Sequence, residues 1–407
     1  MQSRVSVVQL PPSPPPDEIA DRVRRYQTAM HAAGIDAAVL VQSADLVYLS
    51  GTAQNAHLVV PAEGHPLLLV RRDLERARAE SPLERIEPFT SLRALPHALG
   101  SLDIAATARI GFELDVIAAG SYLRYRSLLP KAEIVDCMPS LWAARSKKTV
   151  WEIERIRAAC AQTEAAFARA PELIREGRPE WEVLDDLFST MRRHGHEGGI
   201  RFRGLNSEFL FGQVLAGASA AVPGPTETPL HGPGLSAAQG RGVSRRLLQR
   251  GDAVVIDISG LSEGYVSDQT RTFFLGDPDR EMLAAHESCR AILAACVPLL
   301  VAGTPASAIY QRGLEVAETA GYGKNFMGAG DQRVRFIGHC IGLELNEPPY
   351  LAHGWHEPLA IGNVVAIEPK LQFAGLGAVG VENSYLITAD GPVQLTAGSD
   401  AAVVVEP

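Results

Sequence analysis

The spacing of apolar positions predicts a first region of short, alternating elements. Residues 17–34 have the pattern of an amphipathic helix that ends at Gly34. Strand-like and helix-like segments then alternate at 37–41, 46–49, 57–60 and 66–70. A further helix is expected to begin at Asp73. This alternation predicts a mixed α/β domain up to about residue 141.

A second region begins after the polar stretch 145–148, which predicts a linker. Thr149 is suited to cap a helix, and Glu152 stands at the capping-box position three residues later. The helix that starts there is expected to end near Glu176. Further helices are expected at 181–194, 280–302 and 305–320.

Length and proline content set the expected domain organisation. A chain of 407 residues exceeds what one core usually supports, so two domains are expected. Five prolines among residues 11–16 favour an extended polyproline segment. We therefore predict a proline-rich arm over 1–16, an N-terminal domain over 17–144 and a C-terminal domain over 148–407.

Composition and charge exclude several classes of function. Apolar residues make up 46% of the chain and charged residues 21%, which is ordinary for a soluble globular protein. A net charge of −9 argues against a nucleic-acid partner. No secretory signal is visible, and no run approaches the ~18 apolar residues of a membrane span. The five cysteines form no Cys-x-x-Cys pair, which is typical of reduced thiols. We therefore expect a cytoplasmic protein without a membrane partner.

Four carboxylates and one histidine stand out because each lies in or beside a strand-like segment. They are Asp257, Asp268, His339, Glu368 and Glu382, and the two aspartates are eleven residues apart. A buried charge without a partner is very costly. Four carboxylates and an imidazole that converge in a core therefore need a cation, and carboxylate bridges suit a pair of divalent first-row metals.

The order and flanks of these residues resemble the pita-bread metallopeptidase family. That family comprises methionine aminopeptidase, aminopeptidase P, prolidase and their non-peptidase relative creatinase. Residues 264–271 resemble the family's segment around its second aspartate, and 338–349 resemble its histidine motif. The likeness covers roughly residues 148–390, and the upstream part suits the smaller N-terminal domain of the prolidase and creatinase branch.

The resemblance implies an α/β (α+β) fold. A small mixed α/β N-terminal domain would precede a pita-bread domain, whose curved antiparallel sheet carries a dinuclear metal site. It also implies two divalent ions, of manganese, iron, cobalt or zinc, and a homodimer.

The resemblance also assigns roles to the five residues. Asp268 and Glu382 would help to bridge the two ions, Asp257 would complete one ion's shell and His339 the other's. A water between the ions would attack a C–N bond. Glu368, besides binding metal, would shuttle a proton from that water to the leaving nitrogen.

Two positions depart from the family pattern. Asn346 stands seven residues after His339, where the peptidases carry a second histidine that donates a hydrogen bond to substrate. Asparagine can donate through its amide but cannot ionise. His231 lies twenty-six residues before Asp257, and its flanks suit another family histidine if the following loop is longer by about nine residues. A surface-loop histidine is the equal alternative.

Two further residues near these motifs, Arg203 and Glu347, are candidates for substrate binding or support. Arg203 could clamp a substrate carboxylate, since guanidinium suits bidentate recognition, or it could form a surface ion pair. Glu347 is expected beside the substrate, as a hydrogen-bonding support for the metal ligands. Cys340 follows His339 directly, but adjacent strand residues point to opposite faces, so we expect it in the core.

Three functions follow from the resemblance. The first is a metal-dependent dipeptidase or aminopeptidase of Xaa-Pro type, acting on short peptides. The second is a non-peptidase enzyme on the same fold, either a creatinase-like C–N hydrolase or a lyase acting on a small molecule; Asn346 favours it. The third is an inactive binding scaffold, and the presence of all five ligands argues against it.

Overall fold

The computed structural model describes residues 13–206 and 211–406. These residues form two compact units. The first contains the described residues through Arg145 together with Gly204–Asn206, and the second contains Ser146–Arg203 and residues 211–406. The expected proline-rich arm lies outside the described residues as far as residue 12, and Pro16 already begins the first helix.

The first unit is built on one six-stranded mixed sheet. Its elements are α1 Pro16–Ala32, β1 Ala37–Leu40, α2 Ser43–Ser50, β2 Ala56–Pro61, β3 Leu67–Val70, α3 Leu74–Glu80, β4 Arg85–Pro88, α4 Leu95–Gly100, β5 Arg109–Phe112, α5 Ala119–Leu128, β6 Glu133–Asp136 and α6 Met138–Ser146. The strand order is β4-β3-β2-β1-β5-β6. β2 runs antiparallel to both β1 and β3, whereas the pairs β3–β4, β1–β5 and β5–β6 are parallel.

Three of the four short segments expected in this region are strands, and the fourth, residues 46–49, lies within helix α2. Local capping explains the helix. The side chain of Gln42 accepts hydrogen bonds from the amides of Ala44 and Asp45, and Gly51 ends the helix in the left-handed conformation.

The second unit combines long helices with antiparallel strands. Its elements are α7 Val150–Leu173, α8 Glu180–Arg193, β7 Gly212–Ala216, β8 Ala253–Ser262, β9 Tyr265–Leu275, α9 Arg280–Cys296, α10 Ala306–Thr319, β10 Phe336–Cys340, β11 Glu347–Ala352, β12 Val364–Ile367, β13 Lys370–Phe373, β14 Gly377–Gly380, β15 Asn383–Thr388, β16 Gly391–Gln394 and β17 Val403–Val405. They form sheets of order β17-β9-β8-β7, β11-β10-β12-β15-β16 and β13-β14. Among the described strands of this unit, only β17 and β9 pair in parallel.

Helix α7 begins as its sequence predicts. The side chain of Thr149 accepts from the amide of Glu152, and the carboxylate of Glu152 accepts from the amide of Thr149. The helix ends at Leu173, three residues before the expected end, and Pro171 lies in its last turn. Reciprocal capping of this kind satisfies two amides that the first helical turn would otherwise leave without partners.

Helix α9 is a core helix of the second unit. Together with the short 3₁₀ turn Val297–Leu299 it is long and apolar enough to qualify as a candidate membrane span by length and composition. Its apolar face, however, packs into the main hydrophobic cluster of this unit through Met282, Ala285, Cys289, Ile292, Leu293 and Cys296. The charged residues Glu287 and Arg290 lie between those positions, as on an amphipathic helix of a soluble domain.

Strand β8 has one face packed in a hydrophobic cluster and one face turned away from that cluster. Val254, Ile256 and Ile258 pack against α7 and α8 in one hydrophobic cluster. Because successive strand residues point to opposite faces, Asp257 and Ser259 lie on the face away from that cluster.

Candidate metal centre and active site

The β8–β9 hairpin places the two aspartates on one face. Glu263 and Gly264 form its turn with φ of +47° and +83°, as a tight two-residue hairpin turn requires. With this turn Ser259 pairs with Asp268, and Asp257 pairs with Thr270. The spacing of eleven therefore makes Asp257 and Asp268 diagonal neighbours on the same face, and the hydroxyl of Ser259 donates to Asp268 Oδ1 over 3.1 Å.

The second sheet supplies the other three ligands. His339 lies on β10 opposite Ala366 of β12. Glu368 follows β12 directly, and its amide donates to the carbonyl of Ile337 over 2.9 Å. Glu382 immediately precedes β15.

Glu382 joins the two sheets at the site. Its amide donates to the carbonyl of Thr270 on β9 over 3.1 Å, and the hydroxyl of Thr270 donates to Glu382 Oε2 over 2.7 Å. The ends of β12 and β15 are thereby held against the hairpin that carries the aspartates.

The structure brings several of the expected ligand atoms close together. His339 Nε2 lies 3.8 Å from Asp268 Oδ2 and 3.7 Å from Glu368 Oε1. Asp268, His339 and Glu382 each offer a ligand atom within 4.8 Å of the others, and all three side chains are buried.

The donor set fits a divalent cation. His339 Nδ1 lies 3.1 Å from the carbonyl of Cys340 and must donate to it, so the lone pair of neutral Nε2 faces the carboxylates. Glu382 Oε1 is buried and accepts no hydrogen bond from any described residue. Acceptors that face one another in a buried site require a positive charge between them, and imidazole with carboxylates suits first-row ions.

The pKa shifts of these side chains also favour a bound cation. Burial, followed by the neighbouring carboxylates, raises the pKa of Asp268 well above its ordinary value. Burial likewise raises the pKa of Glu368, and it raises that of Glu382 to about 7. Burial also lowers the pKa of His339, which favours the neutral, coordinating form. These shifts express the cost of crowded carboxylates, which a bound cation relieves.

Sequence reasoning missed a lysine inside this cluster. Lys370 Nζ lies 3.3 Å from Asp257 Oδ2 and 3.5 Å from Glu382 Oε2, and it donates to Glu368 Oε2. Its side chain is 1% exposed. Burial lowers its pKa, but the three carboxylates outweigh burial and raise the pKa well above the ordinary value. The signal was present, because a residue two positions after Glu368 in an extended segment shares its face.

A cavity opens onto the ligands. It is lined by Asp257, Asp268, His339 and Glu368 together with Asn346, Arg241, Phe202, Gly212, Gln213, Thr228, Pro229, Leu230, Ser259, Phe336 and Leu345. Together with the open solvent at its mouth, the cavity has about 690 Å³ of empty space. Asn346 is exposed, and its side-chain amide has no hydrogen-bond partner among the described residues.

The other three candidates lie outside the described lining of this cavity. His231 is buried, and its Nε2–H donates to the carbonyl of Thr226. Arg203 pairs with the buried carboxylate of Glu344 at 3.4 Å, so its ion pair is not a surface pair.

Glu347 supports the backbone next to the site. It pairs with Lys148 at 2.9 Å, and its other oxygen accepts from the amide of Glu344 over 3.2 Å. Gly342 makes room for this carboxylate, because a Cβ there would lie 2.5 Å from Glu347 Oε1. The side chain of Cys340 packs in the hydrophobic core, as its position beside His339 predicts.

Two families of known sequences match the chain. The model of the creatinase/prolidase N-terminal domain matches residues 22–147. The model of metallopeptidase family M24 matches residues 154–389, more than half of the 407-residue chain. The chain belongs to metallopeptidase family M24.

Individual M24 relatives span nearly the whole chain. A probable dipeptidase, PepE, of Mycobacterium tuberculosis is 28% identical over 399 residues, which cover 95% of this chain and 96% of the relative. The Xaa-Pro dipeptidase of Pyrococcus horikoshii is 25% identical, covering 93% and 98%. Among solved structures, dipeptidase PepE of Mycobacterium ulcerans has a TM-score of 0.81 at 26% identity, covering 96% and 99%. An Xaa-Pro dipeptidase from Bacillus anthracis shares the fold, with a TM-score of 0.82 at 23% identity over 95% and 100% of the two chains.

These similarities confirm the predicted fold class, a mixed α/β N-terminal domain followed by a pita-bread domain. The chain is an enzyme of a metal-dependent peptidase family in which a dinuclear site is typical. The creatinase-like and lyase alternatives are not favoured by relatives of this kind. The roles of the individual site residues and the domain boundaries stay predictions.

Proposed function

We propose that this M24 protein hydrolyses the amide bond of Xaa-Pro dipeptides. The observation that carries the proposal is the convergence of Asp268, His339 and Glu368 in a cavity that Asn346 and Arg241 also line, with Glu382 beside Asp268 and His339. The names of the relatives, Xaa-Pro dipeptidase and probable dipeptidase, support the choice of substrate.

Asp268, His339 and Glu382 would hold the metal, with Glu368 beside them. A divalent ion held there lowers the pKa of water and polarises a substrate carbonyl. Glu368 accepts the proton of the attacking water and returns it to the leaving nitrogen, since its carboxylate borders both the ligands and the cavity.

Asn346 is suited to bind the substrate carbonyl. Its amide stands at the exposed side of the cavity without a partner among the described residues, so donation to substrate breaks no existing bond. A donor aimed at the oxygen that gains negative charge stabilises the transition state more than the ground state.

Arg241 is suited to bind the free carboxylate of a dipeptide. It lines the cavity, and its guanidinium carbon lies 6.0 Å from the ring centroid of Phe202, which also lines it. Arg203, the candidate from the sequence, pairs with Glu344 and is not among the residues that line the cavity. Guanidinium binds a carboxylate bidentately, which would distinguish a dipeptide from a longer chain.

A substrate panel tests the proposal. Protein reconstituted with Mn²⁺, Co²⁺, Fe²⁺ or Zn²⁺ is assayed on Ala-Pro, Ala-Pro-amide, Ala-Pro-Gly, Ala-Ala and creatine. We expect cleavage of Ala-Pro that a chelator abolishes and metal restores. An enzyme that is inert on all proline peptides but active on creatine or a related small C–N substrate would refute the proposal and favour the creatinase-like alternative.

Arg241→Met tests the carboxylate contact. It should raise KM for Ala-Pro about tenfold or more and reduce the preference for Ala-Pro over Ala-Pro-amide. Arg245→Met is the matched control, because Arg245 lies in the same loop but is exposed and bonded to the carbonyl of Leu235. An unchanged preference in Arg241→Met would remove Arg241 from the substrate site.

The proposal includes a first-row divalent ion, a short-peptide substrate, a homodimer and a cytoplasmic location. The five free, buried cysteines support the last of these.

A further inference from the structure

We propose that the ammonium group of Lys370 occupies the position of one of the two cations typical of this family, so that the site of this protein binds a single divalent ion. The inference rests on the proposed function for the identity of the metal site, but it concerns how many ions that site accepts.

The contacts of Lys370 are those of a cation in a carboxylate cage. Its Nζ lies 3.3 Å from Asp257 Oδ2 and 3.5 Å from Glu382 Oε2, and it donates to Glu368 Oε2. These three carboxylates come from three separate segments of the second unit. Among the described residues no other cation lies in this cluster. Lys370 is the basic residue that pairs with Asp257.

The stem of Lys370 is held in place by its surroundings. Lys370 pairs with Gly380 across β13 and β14, and a Cβ at position 380 would lie 2.6 Å from Lys370 Cγ. The carbonyl of Lys370 accepts from the amide of Met327 over 2.9 Å. Gly380, opposite the fully buried Lys370, leaves room for the lysine side chain, whereas a larger residue at position 380 would collide with it. The surrounding structure therefore fixes the position of the ammonium group.

Three donors suffice for one ion. Asp268, His339 and Glu382 offer ligand atoms within 4.8 Å of one another. Among the described ion pairs Lys370 contacts neither Asp268 nor His339; it contacts Glu382 at Oε2, while Glu382 Oε1 accepts no hydrogen bond from any described residue. Three protein ligands with an open position are a normal set for a single catalytic ion.

Repulsion between cations favours the same count. A second ion bound to Asp257 and Glu368 would lie within a few ångströms of Lys370, and like charges at that distance repel strongly.

Metal counting tests the inference without any activity assay. Protein is saturated with Mn²⁺, passed over a desalting column and examined by elemental analysis and by electron paramagnetic resonance, which distinguishes isolated from coupled ions. Wild type should hold one Mn²⁺ per chain with the spectrum of an isolated ion. Lys370→Met should hold two with the spectrum of a coupled pair. Wild type with two ions, or with none, would overturn the inference, as would a folded Lys370→Met protein that holds one.

Asp257→Asn provides a second test that leaves Lys370 intact. In the wild-type background it should leave one Mn²⁺ bound, because the partner of Asp257 is the ammonium. In the Lys370→Met background it should return the count from two to one. Loss of the single ion in Asp257→Asn alone would contradict the inference, and this result decides even if Lys370→Met fails to fold.

Two controls complete the design. Lys324→Met removes an exposed lysine of the same unit and should leave one ion bound. The peptide panel separates this inference from the proposed function. One ion without Xaa-Pro cleavage rejects the substrate and keeps the inference, whereas two ions with cleavage keeps the substrate and rejects the inference.

Discussion

Replacing Lys148 with methionine should destabilise the second unit strongly. Lys148 Nζ lies 2.9 Å from Glu347 Oε2, and the two side chains are 1% and 3% exposed. Methionine keeps the length of the stem but leaves the carboxylate without this cation in a buried place. Removing one partner of a buried pair costs roughly 3–5 kcal/mol, more than the net contribution of the intact pair.

Tryptophan fluorescence can follow the unfolding of the second unit, which contains Lys148 and Glu347. Three of the four tryptophans, Trp151, Trp181 and Trp355, lie in the second unit, so tryptophan fluorescence during denaturant unfolding mainly reports on it. At the size of this unit the loss corresponds to a fall in Tm on the order of 10 °C.

The neutral pair provides the critical comparison. Lys148→Met combined with Glu347→Gln removes both charges and should recover a large part of the loss, giving a coupling energy of about 1.5 kcal/mol or more. Lys324→Met, at an exposed position, should change stability by no more than ~0.5 kcal/mol. A loss below about 1 kcal/mol in Lys148→Met would refute the reasoning, since it would mean that Glu347 is solvated or has another adequate cation.

Three further predictions concern the site itself. Glu368→Gln should lower kcat by about 10²–10⁴-fold with metal still bound, as measured by steady-state kinetics and elemental analysis; nearly unchanged turnover would show that another group activates the water. Asn346→Ala should cost roughly 2–4 kcal/mol in kcat/KM for Ala-Pro, and Asn346→His should preserve or raise that value if the donor role is correct. In the folded metal-free protein the pKa of Glu382 is raised from 4.5 to about 7, so the folded state binds a proton more tightly than the unfolded state. The free energy of unfolding of the metal-free protein should therefore fall as pH rises from about 4.5 to about 7. Denaturation of metal-free wild type and Glu382→Gln over that range checks this, since the variant should show a smaller decline.

The relative position of the two aspartates could be predicted from strand periodicity, whereas the roles of the five residues as metal ligands rest on the family resemblance and stay predictions. A two-residue turn at Glu263 and Gly264 converts a spacing of eleven into diagonal neighbours, so Asp257 and Asp268 meet without any tertiary information. The capping box of Thr149 and Glu152 was equally local. Where a pattern is set by hydrogen bonds within a few residues, the sequence specifies it.

The substrate side could not be predicted in the same way. His231, Arg203 and Arg241 lie on loops without periodicity, so no strand or helix pattern fixes where their side chains lie. Arg203 pairs with Glu344, 141 residues away, and so its side chain is committed to the protein. The apolar run at 46–49 is too short for its periodicity to distinguish a strand from a helix. The helix cap at Gln42 decides between them.

Asn346 and Lys370 both bear on the reaction, and they have one property in common. The resemblance places a histidine at position 346, and asparagine keeps its hydrogen-bond donor but cannot exchange a proton. In our proposal, Lys370 stands where an ion would lie, and an ammonium keeps the positive charge but offers no empty orbital to a water or a carbonyl. Asn346 thus keeps the hydrogen-bond donor but cannot transfer a proton, and Lys370 keeps the positive charge but cannot act as a Lewis acid. Proton transfer in the cavity therefore falls to Glu368, which touches Lys370 and lies 3.7 Å from His339. A site of this kind should depend more steeply on Glu368 than a site with an ionisable histidine and two ions, because Asn346 cannot take over the proton.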